Sequence, residues 1–164
     1  MKKVAVLRSK IHGKGFFVVK PTKKGAVVGI LRGKLRKNVR VSRNGRDASS
    51  HPDWIGIGEN TWLDPSPPYK FINHSCNPSA GIKGKVTMIA QRNLKAGDEV
   101  TLDYSTIEED TRWHMKCSCR SRNCRKVIRS IQFLPYTTYK RYLPYIPAYF
   151  QKLYSKARSN RKSV

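Results

Sequence analysis

Apolar and polar positions alternate along this chain in short bursts. Val4 to Leu7 is an apolar run, and Gly13-Lys14-Gly15 turns into a second one, Phe16 to Val19. Pro21 to Gly25 makes another turn, followed by the β-branched run Ala26 to Leu31. Trp54 to Gly58, Thr61 to Leu63, Lys85 to Ala90 and Glu99 to Tyr104 repeat the pattern. Short β-branched runs bounded by Gly and Pro predict strands. The stretch 32–50 is basic and loop-like, with Asn44-Gly45 as a hairpin turn. No long amphipathic helix is legible in the body, so the fold class is expected to be mainly β. From Ile131 the character changes. Residues 133–154 place six Tyr and three Pro among aliphatics. That predicts short C-terminal helices broken at proline and covering an apolar face of the body. Residues 155–164, SKARSNRKSV, read as a disordered basic tail.

One stretch does not fit a plain strand-and-turn account. In FINHSCNPSA, the apolar pair Phe71-Ile72 runs straight into Asn73, His74, Ser75 and Cys76. Asn77-Pro78 then breaks the backbone. So many hydrogen-bonding groups behind an apolar pair are unfavourable unless they bind something. The plain alternative is a strand ending in an Asx-Pro turn with Cys76 as a small buried filler.

Charge adds a second constraint. Lys and Arg number 34 against 10 acids, a net charge of +24. Residues 1–46 hold 15 cations and no acid, and residues 112–164 hold 14 and no acid. All ten acids lie between Asp47 and Asp110. Two cationic flanks around a mildly acidic middle favour polyanionic partners such as DNA, RNA or an acidic protein face. At 164 residues one domain is expected. No apolar run approaches the roughly 20 residues that cross a bilayer. The N-terminal apolar run is too short for a signal-peptide core. A soluble protein with reduced thiols and no membrane partner is therefore expected.

The cysteines sharpen the chemistry. Cys117, Cys119 and Cys124 form a C-x-C-x4-C pattern, and Cys76 is the remaining one. Cys117 and Cys119 are too close for easy mutual pairing. A structural zinc ion needs four ligands delivered by tight turns, and the trio supplies three. With Cys76 as fourth, the metal would join FINHSC to the C-terminal region. Arg120, Arg122, Arg125 and Lys126 would offset the charge of four thiolates. The alternative is a set of ordinary reduced thiols. Gly13-Lys14-Gly15 alone is weak evidence for a ligand loop and equally suits a hairpin.

Four segments together resemble a SET-domain protein lysine methyltransferase with a post-SET zinc motif: HGKGFF at 12–17, FINHSCNPSA at 71–80, GDEVTLDYS at 97–105 and CSCRSRNC at 117–124. The ending is similar to short prokaryotic-type members. The resemblance implies small curved β-sheets with a pseudoknot-like crossing between FINHSC and the strand ending at Tyr104. It implies a SET domain over 4–111, a post-SET zinc motif over 112–128 and a helical extension over 129–154. S-adenosyl-L-methionine is the implied cofactor, with one structural zinc. Tyr104 takes the place of the catalytic tyrosine. Gly13, Lys14, Gly15, Lys70, Phe71, Asn73 and His74 take cofactor positions, and Trp113 the place of an aromatic closing over the adenine. Cys76, Cys117, Cys119 and Cys124 take the zinc positions. Leu31, Trp62 and Leu102 take the lysine channel, where aromatics are common in the family, with Trp54 as the alternative to Trp62. Lys70 replaces a common Arg, and Arg120 and Lys126 replace two zinc-loop glycines.

The expected activity is methylation of a lysine in a basic, nucleic-acid-associated protein, such as a histone-like, DNA-binding or ribosomal one. The competing expectation is a binding module for nucleic acid or chromatin with little catalysis. The expected location is cytoplasmic or nucleoid-associated, or a host nucleus for an effector.

Overall fold

The computed structural model describes residues 4–37 and 53–162. The expected Asn44-Gly45 turn and the last two residues of the expected tail lie outside these. The first half of the chain forms β1 (Val4–Arg8), β2 (Lys14–Val18), β3 (Val27–Ile30), β4 (Gly33–Lys37), β5 (Ile55–Gly58), β6 (Thr61–Pro65) and β7 (Asn73–His74). The second half forms β8 (Ala80–Lys83), β9 (Thr87–Ala90), β10 (Glu99–Leu102), β11 (His114–Lys116), β12 (Val127–Arg129), α1 (Tyr136–Tyr142) and α2 (Ala148–Lys162). The fold is mainly β, with small sheets and two helices at the C-terminal end.

The strands make sheets of order β1-β2-β10-β7, β3-β9-β8 and β4-β6-β5, with β11-β12 as a separate ribbon. The first sheet positions the site. β10 pairs antiparallel with β2 on one side and parallel with β7 on the other, in the register Thr101↔Asn73 and Leu102↔His74. Parallel partners need a long connection. Here the β8–β9 hairpin and its turns separate β7 from β10, so two distant segments end side by side. Their shared core is apolar: Phe16, Ile82, Met88, Val100 and Leu102 are almost fully buried. Each such side chain contributes about 1.5–3 kcal/mol of burial free energy.

Three local expectations are corrected. Residues 33–37 form β4 rather than loop, paired with β6 from Gly33↔Pro65 to Lys37↔Thr61. Lysines masked its alternation, because an edge strand can turn charges to solvent. Gly33 is required there, since a Cβ would lie 2.0 Å from the Asp64 carbonyl oxygen. Tyr104 does not end a strand: β10 stops at Leu102, and Tyr104–Ile107 is a 3-10 turn. The Asp103 side chain caps it by accepting the Ser105 N–H. Finally, α2 runs through Lys162 where a disordered tail was expected. Lys, Ala and Arg are good helix formers, and Arg158 and Arg161 lie over aromatic rings instead of dissolving into solvent.

Pro135, Pro144 and Pro147 interrupt the C-terminal segment as expected, and Tyr139, Tyr142 and Tyr154 pack inward while Tyr136 stays exposed. Ile131, Leu134, Tyr139, Tyr142, Ile146, Phe150 and Tyr154 form a second core, with Tyr139 and Tyr154 stacked at 3.8 Å. Phe150 joins this core to the body: a Cβ on Gly56 would sit 2.6 Å from its ring. Replacing Phe150 by Ala is expected to cost about 3–5 kcal/mol. Urea unfolding of the two proteins checks this, and a loss under 1 kcal/mol would mean that the helices are only loosely attached.

Candidate active site

The polar cluster of FINHSC is distributed among distinct tasks. Asn73 Nδ2 donates to the His12 and Lys14 carbonyls at 3.1 and 3.0 Å and to Glu99 Oε1 at 2.7 Å. Ser9 Oγ donates to the same carboxylate at 2.9 Å. These bonds fix the 12–15 loop against β7 and β10. Gly13 has φ +48, a conformation that L side chains rarely adopt. A Cβ on Gly15 would meet Glu99 Oε1 at 2.4 Å. Glu99, which sequence reading did not single out, is therefore the hub of this loop. Its only sequence signal was an acid opening an otherwise apolar strand.

His74 is 4% exposed. Its Nδ1 accepts the Tyr104 backbone N–H at 3.2 Å, and its Nε2 lies 3.3 Å from Cys76 Sγ. Burial holds the imidazole well below its usual range, at about 4, with Asp103 opposing and Arg125 adding to that effect. The neutral ring therefore carries its proton on Nε2 and donates it to the sulfur.

His74, Cys76, Cys117 and Cys119 bring one ligand atom each within 4.8 Å of one another. Cys124, the fourth ligand expected from the sequence, packs beside them but is not one of the four gathered ligands. All four thiols are free. Three backbone amides aim at sulfurs: Cys76 N at Cys119, Arg125 N at Cys76 and Lys126 N at Cys124, at 3.4, 3.4 and 3.5 Å. N–H donors to sulfur stabilise thiolates, and soft thiolates suit zinc. The residues thus fit a structural zinc ion. In this tautomer Nε2 of His74 donates to Cys76, so His74 would ligate a metal only after giving up that proton. Arg120 and Lys126 adopt φ +57 and +64, where the resemblance places glycines.

Arg125 does more than offset charge. Its Nη2 lies 2.6 Å from both oxygens of Asp103. Asn123 Nδ2 and Tyr142 Oη both donate to the Cys76 carbonyl, at 3.0 and 2.8 Å. The cysteine loop and the helices therefore close on one point of FINHSC.

Two clefts meet beside these groups. The wider, about 560 Å³, is lined by Gly13, Lys14, Lys70, Phe71, Asn73, His74 and Tyr104, and roofed by Met115 to Cys119. Lys14 and Lys70 lie 5.5 and 5.7 Å from the Phe71 ring centre, giving this end positive charge. The narrower, about 40 Å³, is lined by Trp54, Ile55, Tyr69, Leu102, Ile107, Glu108 and Trp113. Asp53, Lys70, Ile72 and Tyr104 belong to both. Tyr104 Oη donates to the Ile72 carbonyl at 2.7 Å. Burial, with Asp53 and Glu99 nearby, pushes its phenol well above the usual range.

The structure thus gathers most of the residues expected at the cofactor position. Trp113 instead lines the narrow cleft, and Met115 covers the wide one. Leu102 lines the narrow cleft, whereas Leu31 and Trp62 line neither. Leu31 is a core residue whose N–H bonds to Val86, and Trp62 is buried in β6 opposite Gly56. Trp54 and Tyr69 supply the aromatic walls instead.

A mainly β fold in which a two-residue strand and a tyrosine turn join two clefts defines a class. The SET domain profile matches residues 13–105, more than half of the chain, and the chain belongs to the SET-domain family. Histone-lysine N-methyltransferase trithorax of Drosophila virilis is 31% identical over 142 residues, which covers 76% of this chain and 4% of that protein. Histone-lysine N-methyltransferase 2D of Homo sapiens is 28% identical over 136 residues, 75% of this chain and 2% of that one. The chain thus spans only a small part of the length of these relatives. The structure of KRYPTONITE in complex with mCHG DNA and SAH superposes with a TM-score of 0.59 at 22% identity, covering 76% of this chain and 28% of that one. It supports the fold.

Two predictions follow from the site's strain and burial. Burial raises the Glu108 carboxyl from 4.5 to about 7, with the Asp110 and Glu109 amides partly offsetting this. The folded state then holds a proton that the unfolded state has lost, so this group's contribution to stability falls as pH rises from 4.5 to 7. Glu108→Gln keeps an acceptor for both amides. It is expected to match the parent at pH 4.5 and to exceed it by at most about 3 kcal/mol at pH 8, read by urea unfolding. Equal stabilities at both pH values would refute the assignment. In the zinc loop, Lys126→Gly is expected to gain about 0.5 kcal/mol, because relief of a left-handed conformation exceeds the entropy cost. Lys126→Val is expected to lose more than about 1 kcal/mol. Thermal unfolding with equimolar zinc reads both signs.

Proposed function

We propose that this chain is an S-adenosylmethionine-dependent protein-lysine N-methyltransferase acting on a basic, nucleic-acid-associated protein. The observation that carries this reading is the meeting of a cofactor-sized cleft with a narrow aromatic one at Tyr104. When bound, the cofactor supplies a sulfonium methyl group, an electrophile that an amine can displace in line.

The chain's own residues then have three tasks. The 12–15 loop, Phe71, Asn73 and His74 shape the wide cleft, and Lys14 and Lys70 give it cations for a carboxylate. The narrow cleft admits one extended side chain and removes it from water, and that desolvation favours loss of the ammonium proton that has to precede attack. Tyr104 orients rather than deprotonates: burial keeps it a neutral phenol, and its proton is committed to the Ile72 carbonyl. Its free lone pairs and that carbonyl present oxygens where the clefts join, and alignment of this kind is the main catalytic device.

Asp53 and Glu108 on the narrow cleft suit a cationic substrate. The cationic flanks favour a substrate whose protein sits on nucleic acid. Cys76, Cys117, Cys119 and Cys124 would hold a structural zinc ion, which would tie the roof of the wide cleft to FINHSC.

Transfer of labelled methyl groups to free histones and other basic proteins, followed by mass spectrometry of the modified lysine, tests the reading. Tyr104→Phe is expected to lower kcat by about 10²-fold or more while cofactor affinity changes by only a few-fold. Undiminished transfer by that variant would sink the mechanism.

A further inference from the structure

The C-terminal helices carry a feature that methyl transfer does not use. Arg129 lies 3.5 Å over the Phe133 ring centre, and Arg161 lies 6.0 Å from the same ring. Arg158 lies 3.7 Å over Tyr136, with Lys140 at 5.7 Å. Phe133 and Tyr136 are 38% and 44% exposed, unusual for large rings beside a packed core. They border a groove of about 310 Å³ that also includes Leu134, Pro135, Tyr154, Arg158 and Arg161.

Four cations are therefore gathered on one small face. The last acid of the sequence is Asp110. Among the described residues, none of the four cations has an ion pair. Arg129 spends a donor on the Thr111 carbonyl and Arg161 donates to the Gln132 and Ala157 carbonyls, leaving other guanidinium donors free. Each ring contact returns only about 0.5–1 kcal/mol at an exposed site. The rings hold the guanidinium planes in place while leaving their charge unneutralised, an arrangement ready for an external anion.

We propose that this face docks on the phosphate backbone of duplex DNA. Charge complementarity selects a polyanion, and the rings select the duplex. Single strands bind proteins by stacking bases on open aromatic faces, but here guanidinium groups lie over those faces. What remains is a ring-supported set of phosphate donors, which positions a protein without reading sequence. At 15 residues α2 is about 22 Å long, and a duplex presents one phosphate charge per about 1.7 Å of axis. The inference deepens the proposed link to nucleic acid and rests on it only for the partner's class. It does not depend on methyl transfer.

The test is fluorescence anisotropy of the full chain with a labelled 20-base-pair duplex of arbitrary sequence over a salt series, without cofactor. The triple variant Arg129→Gln, Arg158→Gln, Arg161→Gln is expected to bind at least about 10-fold more weakly, with the log–log salt slope reduced by about 2–3. Arg→Lys at the same three positions is expected to keep most of the affinity. Lys140→Glu, an exposed single change, is expected to weaken binding several-fold and covers the case in which the triple variant misfolds. A control triple, Lys83→Gln, Lys85→Gln, Lys95→Gln, removes equal charge elsewhere. Equal losses in the control and the arginine triple would overturn the proposal in favour of diffuse charge. Tighter binding of single-stranded RNA or polyglutamate through the same residues would overturn the choice of partner. Methyl transfer to a free peptide is read separately, so either reading can fail alone.

Discussion

The carboxylate of Asp103 is the constraint on which the rest of the site depends. It is 2% exposed, and a charge so deep survives only if it is fully partnered. Arg125 reaches both oxygens from the cysteine loop, and the Ser105 amide completes the set. Removing one partner of such a pair typically costs 3–5 kcal/mol, although the pair as a whole need not add net stability. Its contribution is geometric. Asp103 follows directly on β10, caps the turn that carries Tyr104 and stands near His74, whose ring in turn touches Cys76. One ion pair therefore sets the relation between the tyrosine, the parallel β7–β10 ladder and the cysteine loop. The loop cannot shift without exposing or orphaning a buried charge.

Burial also apportions protons among the neighbouring groups. It keeps His74 neutral, Tyr104 a phenol and Glu108 close to half-protonated at neutral pH. For His74 the consequence is structural: a fixed tautomer gives Cys76 a donor and Tyr104 N an acceptor. For Tyr104 it concerns reaction type. A phenol that keeps its proton can orient and polarise, whereas a carboxylate in its place would stabilise the unreactive ammonium. Under the proposed reaction, the same desolvation that raises Tyr104 lowers the cost of losing the substrate's proton.

Local chemistry was legible in the sequence where a residue's role depends on its immediate neighbours. The Gly13 turn and the proline-broken helices are of this kind, whereas the meeting of Lys14, Lys70, Phe71, Asn73, His74 and Tyr104 on one cleft was implied by the family resemblance and not by their neighbours. Positions set by tertiary packing were not. Trp62 faces the core because β4 and β5 sandwich its strand, a register that GKLRK conceals behind lysines. Trp113 enters the narrow cleft because the turn before β11 returns it towards Ile107. Glu99 and Asp103 looked like ordinary strand-end acids. Their roles depend on Asn73 and Arg125, which lie 26 and 22 positions away. Arg120 and Lys126 mark the reverse case: the missing glycines were visible, and the backbone keeps the left-handed geometry nonetheless. The surrounding N–H to sulfur bonds over-determine the loop, so the strain is carried rather than avoided.

The distribution of charge now has a spatial meaning. The acids Asp53 and Glu108 lie on the narrow cleft, and Glu109 is held by Tyr149 of α2. The cations Arg129, Lys140, Arg158 and Arg161 gather around Phe133 and Tyr136. Negative charge thus marks where a cationic side chain enters, and positive charge marks a face suited to phosphate. A lone basic peptide would be drawn to the first and repelled by the second. A basic protein already seated on a polyanion satisfies both at once, because its carrier neutralises the face that would otherwise repel it. Under the two proposals above, the two-signed surface would discriminate by assembly rather than by sequence, favouring lysines presented from a nucleoprotein over the same lysines free in solution.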